Sequence, residues 1–299
     1  MSKDQDHIII ESSTFHEMME LPWKSSFILL MRSKSLSNIF TTYKSQFSPF
    51  LQENYTSVEG LTLLDPFRLD NNLRLLEESL KIDGDIVECG CYKGGNALLM
   101  ALKLKSLGIK RKIVLFDSFE GLPEPSKEHD AGYNSGQFSA SFEELKSYII
   151  KFELEDYFDL QKGWFNVTVP AYIAQHSNLK ISLLHIDCDL YTSTVDCFPE
   201  FYNRLSANGI AIFDDFNDGG KGEKTAVLQT LNKNYSIIMG PAPQAYMYNK
   251  TTDRIGVKDA EFYYSFTEIL NNDAYLNWLK AKTNLDYEKI LEKSIAQKS

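Results

Sequence analysis

Apolar positions through the middle of the chain recur with two different periods. Leu69, Leu73, Leu76 and Leu80 follow at spacings of four, three and four, the stripe of one helix face. Asp65-Pro66 ahead of them reads as N-cap plus first helical residue. Ala97, Met100, Ala101, Leu104 and Leu107 make a second stripe, closed by Gly108. Ser141 and Glu144 have capping-box spacing, and Leu145, Tyr148, Ile149 and Phe152 continue that helix. Between these stripes lie short apolar runs of strand type at 86–87, 112–116, 158–161, 181–186 and 210–213. Residues 235–239 and 245–248 read as a closing antiparallel pair. Alternating strands and helices predict an α/β architecture around a mostly parallel sheet.

The pattern divides the chain into three zones. Residues 1–60 are mixed, aromatic and Ser-rich with weak helical character, an expected N-terminal extension serving as lid or oligomerisation element. Residues 61–250 carry the alternation, and 251–299 read as a helical C-terminal extension. The stretch 121–140 is a loop rich in Gly, Pro and Ser.

Composition narrows the function classes. Of 299 residues, 31 are Lys or Arg and 41 Asp or Glu, a formal charge of −10 that argues against a nucleic-acid partner. Apolar residues at 43% and charged residues at 24% match an ordinary globular protein, which removes disordered and fibrous readings. No run of about 18 apolar residues is present, so no membrane span is expected. Met1 to His7 is acidic and polar, unlike a secretory leader. Cys89, Cys91, Cys188 and Cys197 form no dense disulfide framework, and a reducing cytoplasm fits them best.

The chemistry gathers where strands end. Glu88, Asp117, Asp187, Asp189, Asp214 and Asp215 each close or follow a strand-like run. In open parallel sheets ligands bind beyond the C-terminal strand ends, near the point where strand order reverses. These acids are therefore expected on one rim. Glu88-x-Gly90-x-x-x-Gly94 leads from a strand into a helix, with Cys91 and Tyr92 in the turn. It is neither a dinucleotide fingerprint, since Tyr92 fills the second glycine slot, nor a phosphate loop. Asp117 can accept from a ribose diol, and Glu88 suits a cationic ligand end. S-adenosylmethionine combines an ammonium, a sulfonium and a ribose without a phosphate. The bland alternative for the glycines is a structural strand-to-helix turn.

Asp187-Cys188-Asp189 and Asp214-Asp215 would repel one another without a cation among them. Oxygen ligands alone indicate a hard ion, Mg²⁺ first. Helix caps or solvated acids are the bland alternative. The cysteines near the strand ends read as buried thiols rather than a zinc site, because no C-x-x-C is present. His185, two residues before Asp187, reads as a core or supporting histidine with a role as base left open, and His129 and His176 lie in loops. Ser139, Ser141 and Ser193 lack the G-x-S-x-G elbow of a serine hydrolase.

Taken together these segments resemble the macrocin O-methyltransferase family (TylF/MycF-type). The resemblance is carried by Leu61-Thr62, 67–71 (FRLDN), 84–95 (GDIVECGCYKGG), 117–123 (DSFEGLP), 163–165 (GWF), 186–194 (IDCDLYTST) and 214–216 (DDF). It implies a Rossmann-like class I methyltransferase fold, with a seven-stranded mostly parallel sheet and helices on both faces. It also implies S-adenosylmethionine and Mg²⁺ as cofactors, and a small-molecule, sugar-containing acceptor. By motif position it implies Asp187, Asp214 and Asp215 as metal ligands and Asp189 as general base. Glu88, Gly90, Cys91, Tyr92, Gly94, Asp117 and Asp187 would line the cofactor site. Ser118 and Trp164 would lie near the adenine, and Thr62 near the amino-acid end. Assembly into a homo-oligomer through the first 60 residues is a further implication. Cys188 stands where that family often has Gly, and the loop from Pro123 to Ser141 has its own sequence. The rival readings are a metal-dependent methyltransferase of a catechol or other small diol, and a non-catalytic binding protein on the same fold.

Overall fold

A computed structural model describes residues 8–10, 36–217, 222–231, 236–241 and 243–249. In chain order these form β1 (Ile8–Ile10), α1 (Leu36–Tyr43), α2 (Pro49–Val58), α3 (Pro66–Ser79), β2 (Asp85–Cys89), α4 (Gly95–Ser106) and β3 (Ile113–Asp117). Then come α5 (Phe142–Lys151), β4 (Phe158–Lys162), α6 (Phe165–Gln175), β5 (Ile181–Ile186), α7 (Tyr191–Tyr202) and β6 (Leu205–Phe213). The last are α8 (Gly222–Thr230), β7 (Ser236–Met239) and β8 (Ala245–Tyr248).

The local signals explain the element starts. Asp65 has extended backbone, and its carboxylate accepts from the N–H groups of Phe67 (2.9 Å) and Arg68 (3.2 Å). Pro66 then occupies the first helical position, where its missing N–H costs nothing. Ser141 caps α5 by accepting from Glu144 N–H at 3.2 Å.

The strands join in the order β1-β7-β8-β6-β5-β2-β3-β4. All neighbours are parallel except β8, which runs antiparallel to β6 and β7. The expected seven strands correspond to β2–β8. An eighth, β1, adds at the β7 edge, so the N-terminal zone contributes a strand where only helix was expected. Three consecutive β-branched residues, Ile8 to Ile10, favour that extended pairing. The closing pair starts at Ser236, and the helical reading of 251–299 lies outside the described residues.

Every residue of β5 is buried, as a central parallel strand with both faces covered requires. Period-two alternation splits its neighbours between two cores. Ile86, Ile113, Leu183 and Ile212 pack with Leu69 and Leu76 of α3 and Leu98 of α4. Val87, Val114, Leu184 and Ala211 pack with Val169 of α6 and Phe198 and Phe201 of α7. The chain runs outward from β2 through β3 to β4, then returns to place β5 on the other side of β2. The strand order reverses there, at the ends of β2 and β5.

Candidate functional site

Beyond the C-terminal ends of these strands lies a cavity of about 1150 Å³, counted to its open mouth. Its walls include Thr62, Glu88, Gly90, Cys91, Tyr92, Asp117, Ser118, Trp164, Asp187, Asp189, Asp214 and Asp215. Of the residues expected to bind cofactor or metal or to act as base, Gly94 alone is not in the wall; it sits at the N-cap of α4.

Gly90 lets the two central strands meet. Its φ is +84°, and a Cβ there would sit 1.7 Å from the backbone oxygen of Asp187. Tyr92 (φ 54°), Phe138 (φ 62°) and Asp189 (φ 58°) also hold left-handed backbone while lining the cavity. Such conformations cost free energy and concentrate at functional sites.

On one side the walls are shaped by backbone bonds. Asp117 Oδ2 accepts from the N–H groups of Cys91 (2.8 Å) and Tyr92 (3.1 Å), and Oδ1 from Phe119 (2.6 Å). Burial pushes its carboxyl up, and those three donors pull it back. Asp117 therefore fixes the turn as well as facing the cavity. Ser118 Oγ donates to Gly121 O and accepts from Glu120 N–H, both at 3.0 Å, and Thr62 Oγ1 accepts from Leu64 N–H at 3.1 Å. Glu88, at the end of β2, is buried. Its Oε1 accepts from Asn96 Nδ2 (2.8 Å) and pairs with His185 Nδ1 (2.9 Å), while its Oε2 has no hydrogen-bond partner.

The other side is an acidic cluster with two resident cations. One ligand-type atom each from His185, Asp187 and Asp214 lies within 4.8 Å of the others. Asp215 lines the same cavity but falls outside that triplet; its N–H donates to Glu223 Oε1 at 3.1 Å. Burial lowers the His185 pKa, but Asp214 and Glu88 outweigh it and bring the ring up to about 10. His185 Nε2 stands 3.8 Å from Asp214 Oδ1, an ion-pair rather than a hydrogen-bond distance. Arg68 is buried and bonded to both Asp65 and Asp214. Burial pulls its pKa down, and Asp214, Asp65, Asp215 and Asp187 more than reverse that. Asp214 in turn is pushed up by burial but held down at about 2, chiefly by Arg68. Asp187 is pushed well above the usual carboxylate range by burial and by Asp214. Glu223 is likewise raised by burial and Asp215, and its Oε2 has no hydrogen-bond partner.

Arg68, Asn96, Glu223 and Gln244 were not singled out from sequence as site residues. Arg68 left one clue: three residues after its N-cap, it belongs to the first turn of α3. The other three carry no local signal. Elsewhere, His129 stacks on Tyr191 with ring centroids 4.2 Å apart, and His176 on Tyr172 at 4.0 Å. All four cysteines are free and buried, and burial pushes their thiols up.

Comparison with known proteins decides the lineage. The model of the macrocin-O-methyltransferase (TylF) family matches residues 42–233. The chain belongs to this family. Among its relatives is the 8-demethyl-8-(2,3-dimethoxy-alpha-L-rhamnosyl)-tetracenomycin-C 4'-O-methyltransferase of Streptomyces olivaceus. It is 30% identical over 166 residues, 52% of this chain and 62% of that protein. The mycinamicin III 3''-O-methyltransferase of Micromonospora griseorubida is 29% identical over 177 residues, 55% of this chain and 68% of that one. The match thus spans somewhat under two thirds of the first relative's length. In fold the chain is similar to the O-methyltransferase NovP, with a TM-score of 0.56 and 24% identity over 77% of this chain and all of that one. CalS11, a calicheamicin methyltransferase, gives 0.55 and 23% over 83% of this chain and 98% of that one. Among the described residues no helix is long and apolar enough to cross a membrane.

Proposed function

We propose that this TylF-family chain transfers a methyl group from S-adenosylmethionine to a hydroxyl of a small, sugar-containing acceptor, with Mg²⁺ bound at the acidic cluster. One observation carries the reading: a single cavity joins the β2 turn around Glu88 and Gly90 to the acids at the ends of β5 and β6. The acceptor class follows from the family and from relatives whose names describe methylation of rhamnosyl and mycinamicin substrates. A formal charge of −10 argues against a nucleic-acid acceptor, and four free buried thiols suit a reducing cytoplasm.

The cluster fits a divalent cation. Asp187 is raised by burial and by Asp214, and a positive ion relieves both. Asp187, Asp214 and Asp215 would hold it, with His185 behind them. Bound there, Mg²⁺ supplies Lewis-acid polarisation of a hydroxyl. The chain's own contribution is placement. Glu88 Oε2 offers an unpaired acceptor to the cationic end of the donor. Asp117 and the N-terminal turn of α4 hold the wall against which the nucleoside lies. Asp189, half-buried and pointed by its left-handed backbone, takes the proton from the attacking hydroxyl. Bound beside it, S-adenosylmethionine would supply the methyl group to that oxygen, its sulfur keeping the electron pair of the broken bond. Near-attack placement can be worth roughly 7–11 kcal/mol, and a positioned base about 10²–10⁴-fold.

The test is a panel of rhamnosides and catechols assayed with labelled methyl donor, run on the wild type and on Asp189→Asn. Methylation of sugars, lost on chelation and lost in Asp189→Asn while S-adenosylhomocysteine still binds, is expected. Turnover by Asp189→Asn near the wild-type rate removes Asp189 as base, and labelling of catechols alone reassigns the acceptor.

A further inference from the structure

Glu88 and Asp214 belong to opposite halves of the cavity, yet one buried chain of side-chain amides ties them together. Gln244, just before β8, has no exposed surface, and Asn72 of α3 and Asn96 of α4 are 1% and 4% exposed. Asn71 Nδ2 donates to Gln244 Oε1 at 2.6 Å, which fixes which end of the Gln244 amide carries the protons. Gln244 Nε2 then donates to both Asp214 Oδ1 and Asn72 Oδ1, each at 3.0 Å. Asn72 Nδ2 donates onward to Asn96 Oδ1 at 3.1 Å, and Asn96 Nδ2 to Glu88 Oε1 at 2.8 Å. His185 closes the ring from the other side, against Glu88 and Asp214. The donors run outward from Gln244, to Asp214 on one side and through Asn72 and Asn96 to Glu88 on the other, so each amide has one satisfied orientation.

We infer that Asn72 and Gln244 are positioning residues that set the Glu88 and Asp214 carboxylates relative to each other, an inference that rests on the methyltransferase reading above. Neither amide lines the cavity. A buried carboxylate with one oxygen pinned by a fixed donor presents the other in a defined direction. Gln244 does this for Asp214 directly. Asn72 does it for Glu88 through Asn96. Partners lying behind metal-binding carboxylates typically change metal affinity by about 10–100-fold when removed. The directed bonds make the two branches separable. An aspartate at position 72 still accepts from Gln244 but cannot donate to Asn96. Asn96 must then turn its own amide toward residue 72, and Glu88 loses the amide donor while keeping the His185 Nδ1 contact. A leucine at position 244 keeps apolar bulk but removes the donor to Asp214.

The experiment uses the full chain, with S-adenosylhomocysteine titrated by calorimetry and Mn²⁺ by electron paramagnetic resonance. Asn72→Asp is expected to weaken S-adenosylhomocysteine about tenfold and leave Mn²⁺ within about twofold. Gln244→Leu is expected to weaken Mn²⁺ by about tenfold or more, with the smaller loss on the nucleoside side. A wild type that binds both ligands, with both variants unchanged in both affinities, overturns the inference and leaves the methyltransferase reading intact. So does a parallel loss of both affinities in both variants, tracking their melting temperatures, because that marks a purely structural role. A wild type that binds neither ligand overturns the methyltransferase reading, and the inference with it.

Discussion

The guanidinium of Arg68, on the first turn of α3, is ion-paired with the carboxylate of Asp214 at the end of β6, 146 residues further along the chain. Both partners are almost wholly buried, and Asp65 holds the guanidinium from the other side through Nε at 2.8 Å. The helix cap and the acidic cluster are therefore one electrostatic unit. Removing one member of a buried pair leaves a bare charge, which costs about 3–5 kcal/mol. Arg68→Met is expected to lower the melting temperature strongly and to recover part of it on addition of Mg²⁺. A melting curve that does not move shows the pair to be energetically neutral.

Two groups in this cluster give stability opposite dependences on pH in the metal-free protein. The folded-state pKa of His185, about 10, lies above its ordinary 6.5. Its contribution is complete below about pH 6.5 and disappears as pH rises through 10. Asp214, held at about 2, lies below its ordinary 3.8. Its contribution is present above about pH 3.8 and disappears as pH falls through 2. Urea denaturation between pH 6 and pH 10, run with chelator, is expected to show a decline that His185→Asn flattens. An equal slope in wild type and variant assigns the alkaline decline to other groups.

Two glycines with similar backbone separate strain from collision. Gly108, with φ +66°, has nothing within 4 Å of a built Cβ, whereas Gly90 meets the backbone oxygen of Asp187. Gly108→Ala carries only the left-handed penalty of about 1–2 kcal/mol. Gly90→Ala must also push two central strands apart, and is expected to fail to accumulate as folded protein or to lose S-adenosylhomocysteine binding. Comparable melting temperatures for the two variants contradict the close approach.

The N-terminus of α7 lacks a cap from its own flank: Leu190 supplies no side-chain bond. Asp130, from the loop between β3 and α5, fills that role. Its Oδ1 accepts from Tyr191 N–H at 2.9 Å, and its Oδ2 holds Ser126 N–H at 2.8 Å. Loss of a cap typically costs about 1 kcal/mol. Asp130→Ala is expected to destabilise by about that amount and to speed tryptic cleavage after the exposed Lys127. Unchanged cleavage means that the loop is held by other contacts.

Periodicity alone settled much of this protein. The leucine stripe of α3, the Asp65-Pro66 cap and the apolar runs of β2, β3 and β5 are local signals, since burying one face and satisfying free helix N–H groups are local requirements. Acids at strand ends were also legible, because a parallel sheet delivers all its C-terminal ends to one edge. Folding decided which charges share a bond. That Arg68 is bound to Asp214, that His185 spans Glu88 and Asp214, and that Glu223 and Gln244 reach the cluster all depend on the sheet order and on helices docking over it. Hydrogen bonds and ion pairs act over about 3–4 Å in space, and sequence separation carries no information at that range.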